Sequence, residues 1–369
     1  MLSEFKKRVF HEVVGNSYPL VSSLLIPSIV RSMNLFNRSR RSKTKYIDFE
    51  IKRYAKWRET NVSHELTIFH DLDFAPSTYG DFLLLVVLAR YFRAQGLIVK
   101  LTINVGDIRA SNHAAKLFFA EEAASIAQEL VHGIIVQIDS NDCRARGVPR
   151  TSKTGDGFLL FEGLVVKNEA VFTHAFDLLN RFLERANDSL IGQTLLSAAD
   201  FSMQNQELND SNYISIPCRL NLVHETQRNL SDKSFLKIVE SVQSVFPGYD
   251  LMIVSDKRGC DHFKEVAQQG NLKCKFSQDY SDNFLGNGLI VLKSKLWVQV
   301  KAGGIGVFAQ WSQIPHLTYL VPAHEHNLFS GYLRTKSRFQ QFKVIYGEPN
   351  QNSLLRDLRK LRYELENTD

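Results

Sequence analysis

In a chain of 369 residues, three short clusters place chemically active side chains at the end of an apolar run. The first is Phe69-His-Asp-Leu-Asp-Phe-Ala-Pro-Ser-Thr-Tyr-Gly-Asp81, where a histidine and three carboxylates separate a strand-like run from a helix-like one. A carboxylate or imidazole held there is suited to taking a proton from a hydroxyl, with Asp71 and Asp73 as the candidate bases. Asp71-x-Asp73 also has the oxygen chemistry of a divalent-cation site. The plainer alternative is that Asp81 or Thr78 caps the helix while Asp71 and Asp73 face solvent.

The second cluster is Ile214-Ser-Ile-Pro-Cys-Arg-Leu220 with Asn221-Leu-Val-His-Glu-Thr-Gln-Arg-Asn-Leu-Ser231. Arg219 ends a strand-like run, the place where open α/β sheets bind ligands, and a guanidinium there can grip a phosphate through two parallel N–H bonds. Arg228 precedes a helix whose expected cap is Ser231. The third cluster, Leu296-Trp-Val-Gln-Val-Lys-Ala-Gly-Gly-Ile-Gly-Val-Phe-Ala309, runs from a buried strand through Gly303 and Gly304 into a short helix. Glycines let a main chain approach a ligand closely, and a helix N-terminus offers unpaired N–H groups, so this reads as a phosphate or diphosphate seat. Glycines serving only a tight turn are the alternative. Gly304-x-Gly306-x-x-Ala309, with Glu325 further on, also matches a dinucleotide fingerprint. Asp256, in Asp256-Lys-Arg-Gly259, is placed to face a ribose or base, or to make a simple turn. His324-Glu-His326 lacks the spacing that sets two ligands on one helical face, so no metal site is expected.

Elements that would position these clusters follow from the pattern of apolar residues. Strands are expected at 66–69, 97–105 and 133–139, with helices at 81–94, 110–131, 169–186 and around 190–199. A polar loop at 141–157 and a polar linker at 202–212 interrupt them. Beyond the linker, strands are expected at 213–220, 250–255, 273–277, 296–300 and 316–321. Helices are expected at 232–245, 261–268 and 283–294, after Gly304, and at 353–367. Such alternation implies parallel sheets with helices on both faces, and the length implies two domains.

Composition narrows the partners. Thirteen of the 45 basic residues but five of the 39 acidic ones fall in residues 1–60, which leaves 32 basic and 34 acidic residues for the rest. The body is near neutral, which argues against nucleic acid as the partner. Residues 1–60 join an uncharged stretch to Asn37-Arg-Ser-Arg-Arg-Ser-Lys-Thr-Lys45, a pairing suited to an anionic membrane surface or to a docked helix with a solvated basic loop. No run reaches the roughly 18 apolar residues that span a bilayer. Four irregularly spaced cysteines read as reduced thiols, and the chain as cytoplasmic, with a possible peripheral site on the inner face of the plasma membrane.

Together these pieces resemble bacterial GT-B glycosyltransferases, on the side of surface-polysaccharide and fucosyltransferase-like enzymes. The resemblance rests on the strand ending in Arg219 with Arg228-Asn229 beyond it, on Pro247-Gly-Tyr-Asp-Leu-Met-Ile-Val-Ser-Asp256, on the strand, Gly-Gly, short helix, x-Pro, strand pattern of 289–317, and on 73–81. It covers about residues 64–322. It implies two Rossmann-like domains facing a cleft: an N-terminal extension 1–60, an acceptor domain 61–205, a donor domain 206–345 and a closing helix 346–369. A nucleotide-sugar donor would bind Arg219, Arg228, Asp256, Gly303 and Gly304, and a glycan or lipid-linked acceptor would meet Asp71 or Asp73. The nucleotide-sugar is a substrate, and no cofactor or metal is implied. Three other readings stay open: a nucleotide-sugar epimerase, an NAD(P)-dependent dehydrogenase and an inactive sugar-binding protein.

Overall fold

The computed structural model describes residues 48, 51–59, 64–72, 78–106, 108–140, 158–160, 178–202, 208, 212–220, 229–301, 304–320, 340–344 and 350–367. Helix α1 (51–59) opens the described chain. Then follow β1 (Glu65–Asp71), α2 (Tyr79–Ala94), β2 (Ile98–Asn104), α3 (His113–Leu130), β3 (Ile135–Asp139), β4 (Phe158–Leu160), α4 (178–183) and α5 (Asp188–Thr194). The second half holds β5 (Tyr213–Pro217), α6 (Asp232–Val245), β6 (Asp250–Val254), α7 (Lys257–Gln269), β7 (Lys275–Phe276) and α8 (Phe284–Lys293). It ends with β8 (Leu296–Val300), α9 (Gly306–Gln310), β9 (His316–Leu320), β10 (Gln340–Val344) and α10 (Gln351–Glu366).

The strands form two sheets in which the described pairings are all parallel, ordered β3-β2-β1-β4 and β10-β9-β8-β5-β6-β7. The chain is thus an α/β protein with two Rossmann-like sheets, as its alternating pattern requires. Strands β5 and β8 are buried at every residue, which is why they read as continuous apolar runs rather than alternating ones. Two strands, β4 and β10, were not expected. Short segments of this kind gain strand character from the neighbour they pair with, β1 and β9 respectively. Helix α7 starts four residues earlier than expected because Asp256 accepts a hydrogen bond from the Gly259 N–H at 2.8 Å and caps it.

Two apolar cores result. The outer face of the second sheet packs Ile214, Val298 and Leu317 against α6 and α7, and α10 covers it with Leu354, Leu358 and Leu361. The other core joins the first sheet and its helices to the inner face of the second sheet, through Met252, Trp297, Phe308 and Leu289 to Leu292. Helix α2 is apolar around most of its circumference because it lies inside this core. Helix α1 closes the same core with Tyr54 and Trp57, whose rings meet Phe92 and Phe182 or each other. Residues 51–59 are therefore packed onto the first sheet, with Lys52, Lys56 and Arg58 on the exposed side.

Arg90 ties the far ends of three helices together. Its guanidinium donates to the carbonyls of Leu130, Thr194, Gln193 and Leu195 at 2.6–3.2 Å and pairs with Asp200 at 3.0 Å. Cationic donors on the last carbonyls of a helix satisfy groups that the helix itself leaves unpaired.

Candidate functional site

Parallel sheets bind ligands outside the carboxyl ends of their strands, at the point where the strand order reverses. In the first sheet that point lies between β1 and β4, and in the second between β5 and β8. The chain brings the two sheet ends together. Gly80, in the first turn of α2, lies so close to Gly304 that an added Cβ would stand 2.5 Å from the Gly304 Cα. Around this contact Tyr79 stacks on Phe284 with ring centres 5.0 Å apart, and Phe284 meets Phe308 at 5.4 Å.

On the first sheet, register aligns three polar residues in one row across the strand ends. Asp71 pairs with Asn104, and Asn104 with Asp139. Asp71 and Asn104 are fully buried, which overturns the alternative that Asp71 faces solvent. Asn104 is oriented by its own loop, since its Oδ1 accepts the Gly106 N–H at 3.3 Å. Asn104 and Asp139 were missed by residue-by-residue reading. Their signal was present, as each is the polar residue that ends an apolar strand. Beside Asp71, His70 turns into the core against Phe82, with ring centres 5.7 Å apart. Neither ring nitrogen has a hydrogen-bond partner, and burial pushes its pKa down to about 4, so the imidazole is neutral.

On the second sheet, Arg219 stands two residues past the end of β5 and is half-buried. Its carbonyl accepts the Leu230 N–H at 3.3 Å, which draws the segment before α6 across the strand end. Asp256 is engaged as the α7 cap, and Ser231 caps α6 as expected. Gly304 makes its close approach to Gly80, and Gly306 makes one to the buried side chain of Gln299. Helix α9 is only five residues long, which leaves it a weak dipole and removes the support for a dinucleotide site of ordinary form. Asp73, Arg228 and Gly303 lie outside the described residues, as do Glu325 and the His324-Glu-His326 segment. Among the described residues no group of three or more His, Cys, Asp or Glu side chains is placed to hold a metal, and no helix is long and apolar enough to cross a membrane. Cys218 and Cys260 are buried, and burial raises both thiols, which disfavours the nucleophilic thiolate.

The chemistry available is therefore two-sided. Carboxylate and amide residues end the strands of the first sheet, and Arg219 follows β5 beside the second sheet's reversal point, with the two ends joined through Gly80 and Gly304.

No protein-family model matches this chain, and no curated protein matches it at a significant level. Several solved structures do. A glycosyl transferase family 9 protein from Veillonella parvula is 10% identical, with a TM-score of 0.49 over 81% of this chain and 97% of that one. The Escherichia coli ADP-heptose LPS heptosyltransferase II is 13% identical, with a TM-score of 0.45 over 82% and 99%. A UDP-N-acetylglucosamine 2-epimerase, so titled provisionally, from Listeria monocytogenes is 10% identical, with a TM-score of 0.39 over 83% and 89%. At TM-scores below 0.5 these similarities do not bear on function, which has to be argued from the site's own geometry.

Proposed function

We propose that this protein is a glycosyltransferase of the GT-B kind, moving a sugar from a nucleotide-sugar to a glycan or lipid-linked acceptor in surface-polysaccharide synthesis. The observation that carries the reading is the meeting of two parallel-sheet ends at Gly80 and Gly304, acids on one side and Arg219 on the other. Transfer of a sugar needs two reactants held together, a base for the acceptor hydroxyl and positive charge for the leaving diphosphate.

In this reading the donor's diphosphate lies over the β5–β8 reversal point, where Arg219, together with Arg228, takes up its charge. The acceptor enters from the first sheet. Asp71 removes the acceptor's proton as its oxygen attacks the anomeric carbon, with Asp73 as the alternative base. Asn104 and Asp139 hold the sugar hydroxyls in the same row. Leaving-group charge is neutralised by side-chain cations, so the step calls on no resident cofactor or metal. The basic segment 1–60 would bring the enzyme to an anionic membrane where lipid-linked acceptors reside, at the inner face of the plasma membrane, and the exposed Lys52, Lys56 and Arg58 of α1 suit that role.

The test is a thermal-shift panel of nucleoside diphosphates and nucleotide-sugars. A ligand present at 100 times its dissociation constant stabilises by about 2.7 kcal/mol. Arg219→Ala should abolish that shift, and Asp71→Asn should keep the shift but lose transfer. If no nucleotide shifts the parent protein, the reading fails. Nucleotide release without an acceptor would mark an epimerase or a hydrolase instead. Binding of anionic vesicles by the full chain, and its loss with residues 1–47 removed, tests the membrane assignment.

A further inference from the structure

Helix α2 runs from Gly80, where the two sheet ends meet, to Arg93 in its last turn, about 20 Å along the axis at 1.5 Å per residue. At that far end an open cavity of about 520 Å³ lies among the ends of α2, α3 and α5, a volume within the range of small-molecule sites. Its charge is unbalanced. Arg90, on one wall, is neutralised by Asp200 at 3.0 Å and held by helix-end carbonyls. Arg93 has no such acid. Its Nε donates to the His132 carbonyl at 3.2 Å and its Nη1 to the Leu97 carbonyl at 2.9 Å, both neutral acceptors, and no carboxylate among the described residues pairs with it. Those two bonds fix the guanidinium and leave its Nη2 without a partner among the described residues. Gly133, at a φ of 68°, keeps that edge uncovered, since an added Cβ would stand 2.8 Å from Nη2. Neutral donors share the wall. The His132 ring is exposed and has no partner among the described residues. The Ser197 hydroxyl accepts the Ala199 N–H at 3.1 Å and still has its own proton to give.

We propose that this cavity is a second ligand site, for a small phosphomonoester of sugar-phosphate size. The proposal stands apart from the transferase reading. An unbalanced guanidinium calls for an anion, and one already anchored by two bonds loses little freedom when it takes up a third. A phosphate group presents three acceptor oxygens in different directions, whereas a carboxylate presents two in one plane. Donors that converge from the ends of α2 and α3 and from the turn after α5 suit the former. A bare phosphate would leave most of the 520 Å³ to water. The remaining wall is rich in acceptors: Asp200 and the helix-end carbonyls keep lone pairs beyond the bonds they already accept, and these suit the hydroxyls of a sugar or polyol. The phosphate thus lies on Arg93 and His132, and the hydroxyls lie toward Asp200. At the far end of α2 from Asp71, the ester is bound rather than turned over.

Titration calorimetry of the full chain with fructose 6-phosphate and ribose 5-phosphate is the test, with fructose and citrate as controls. A sugar phosphate should bind, while fructose should not and citrate should bind at least tenfold more weakly. Gly192→Leu is the most informative variant. Gly192 lines the cavity and an added Cβ there meets nothing within 4 Å, so a larger side chain takes up the space without a clash. Its ligand-free melting temperature should be no lower than the parent's, because leucine favours a helix more than glycine does. Gly192→Leu and Arg93→Met should each weaken sugar-phosphate binding tenfold or more, and Arg219→Ala should leave it within twofold. Where Arg93→Met fails to fold, Gly192→Leu decides. A parent that binds no sugar phosphate overturns the proposal, as does a loss smaller than tenfold in folded Gly192→Leu. Binding that disappears in Arg219→Ala places the ligand in the cleft and overturns it too. Citrate bound as tightly as the esters overturns the phosphate class.

Discussion

Gly80→Ala is the substitution that tests the joining of the two sheets most directly. On helix propensity alone, alanine in α2 should help by up to about 1 kcal/mol. The tertiary contact reverses the sign. The new Cβ would stand 2.5 Å from the Gly304 Cα and 3.1 Å from its carbonyl oxygen. Both neighbours are main chain, so no rotamer change relieves the overlap, and helix or turn must retreat by about an ångström. Overpacking of this kind costs about 1–3 kcal/mol, which cancels the propensity gain and leaves a net loss of up to about 2 kcal/mol. Gly304→Ala is the built-in control. Its Cβ would meet Gly80 Cα at 3.2 Å and Gly80 N at 3.3 Å, a crowding of a few tenths of an ångström. It should cost less than about 1 kcal/mol. Equilibrium urea unfolding of the parent and both variants, followed by two optical probes to test for a single transition, gives the comparison. A Gly80→Ala protein more stable than the parent by about the full propensity gain would mean that α2 and the turn after β8 do not touch. The facing of the two strand ends, and the site built on it, would go with that contact.

Other outcomes follow from the same packing. Replacing Arg90 by Met removes the partner of four helix-end carbonyls and Asp200, and should lower stability by about 3 kcal/mol or more, with Arg90→Lys recovering little; urea midpoints measure it. Trp57→Ala should cost about 3–5 kcal/mol although it lies within the basic segment, whereas an exposed neighbour such as Lys52→Ala should cost almost nothing. His70 is neutral when folded, with a pKa lowered to about 4, but protonates near 6.5 when unfolded. The unfolded chain therefore binds the extra proton, and stability present above pH 6.5 is lost as the pH falls toward 4, by about 3 kcal/mol from this group. His316, lowered to about 3, adds to the same trend. His70→Phe should reduce the slope of stability against pH between 6.5 and 4 by one proton; an unchanged slope would contradict the buried neutral imidazole.

Much of this protein is legible in its sequence, and the reason is local. Strands such as Leu296–Val300 and helices such as Asp232–Val245 announce themselves because their apolar runs, periodicity and caps are written in consecutive residues. The α/β class and the placing of Asp71 and Arg219 at strand ends follow from the same signals. What no run of neighbours encodes is register and strand order. The row of Asp71, Asn104 and Asp139 exists only because three strands pair in one alignment. The pairing of β5 with β8, which sets Arg219 beside the second sheet's reversal point, joins residues about 80 positions apart. The glycines show the difference most clearly. In sequence, Gly304 offers room for a phosphate; in the folded chain that room is taken by Gly80, because a main chain without a side chain lets another main chain approach. Composition and periodicity determined most of the elements that form, β4 and β10 apart. Long-range packing alone decided which of them meet, and therefore where a ligand can lie.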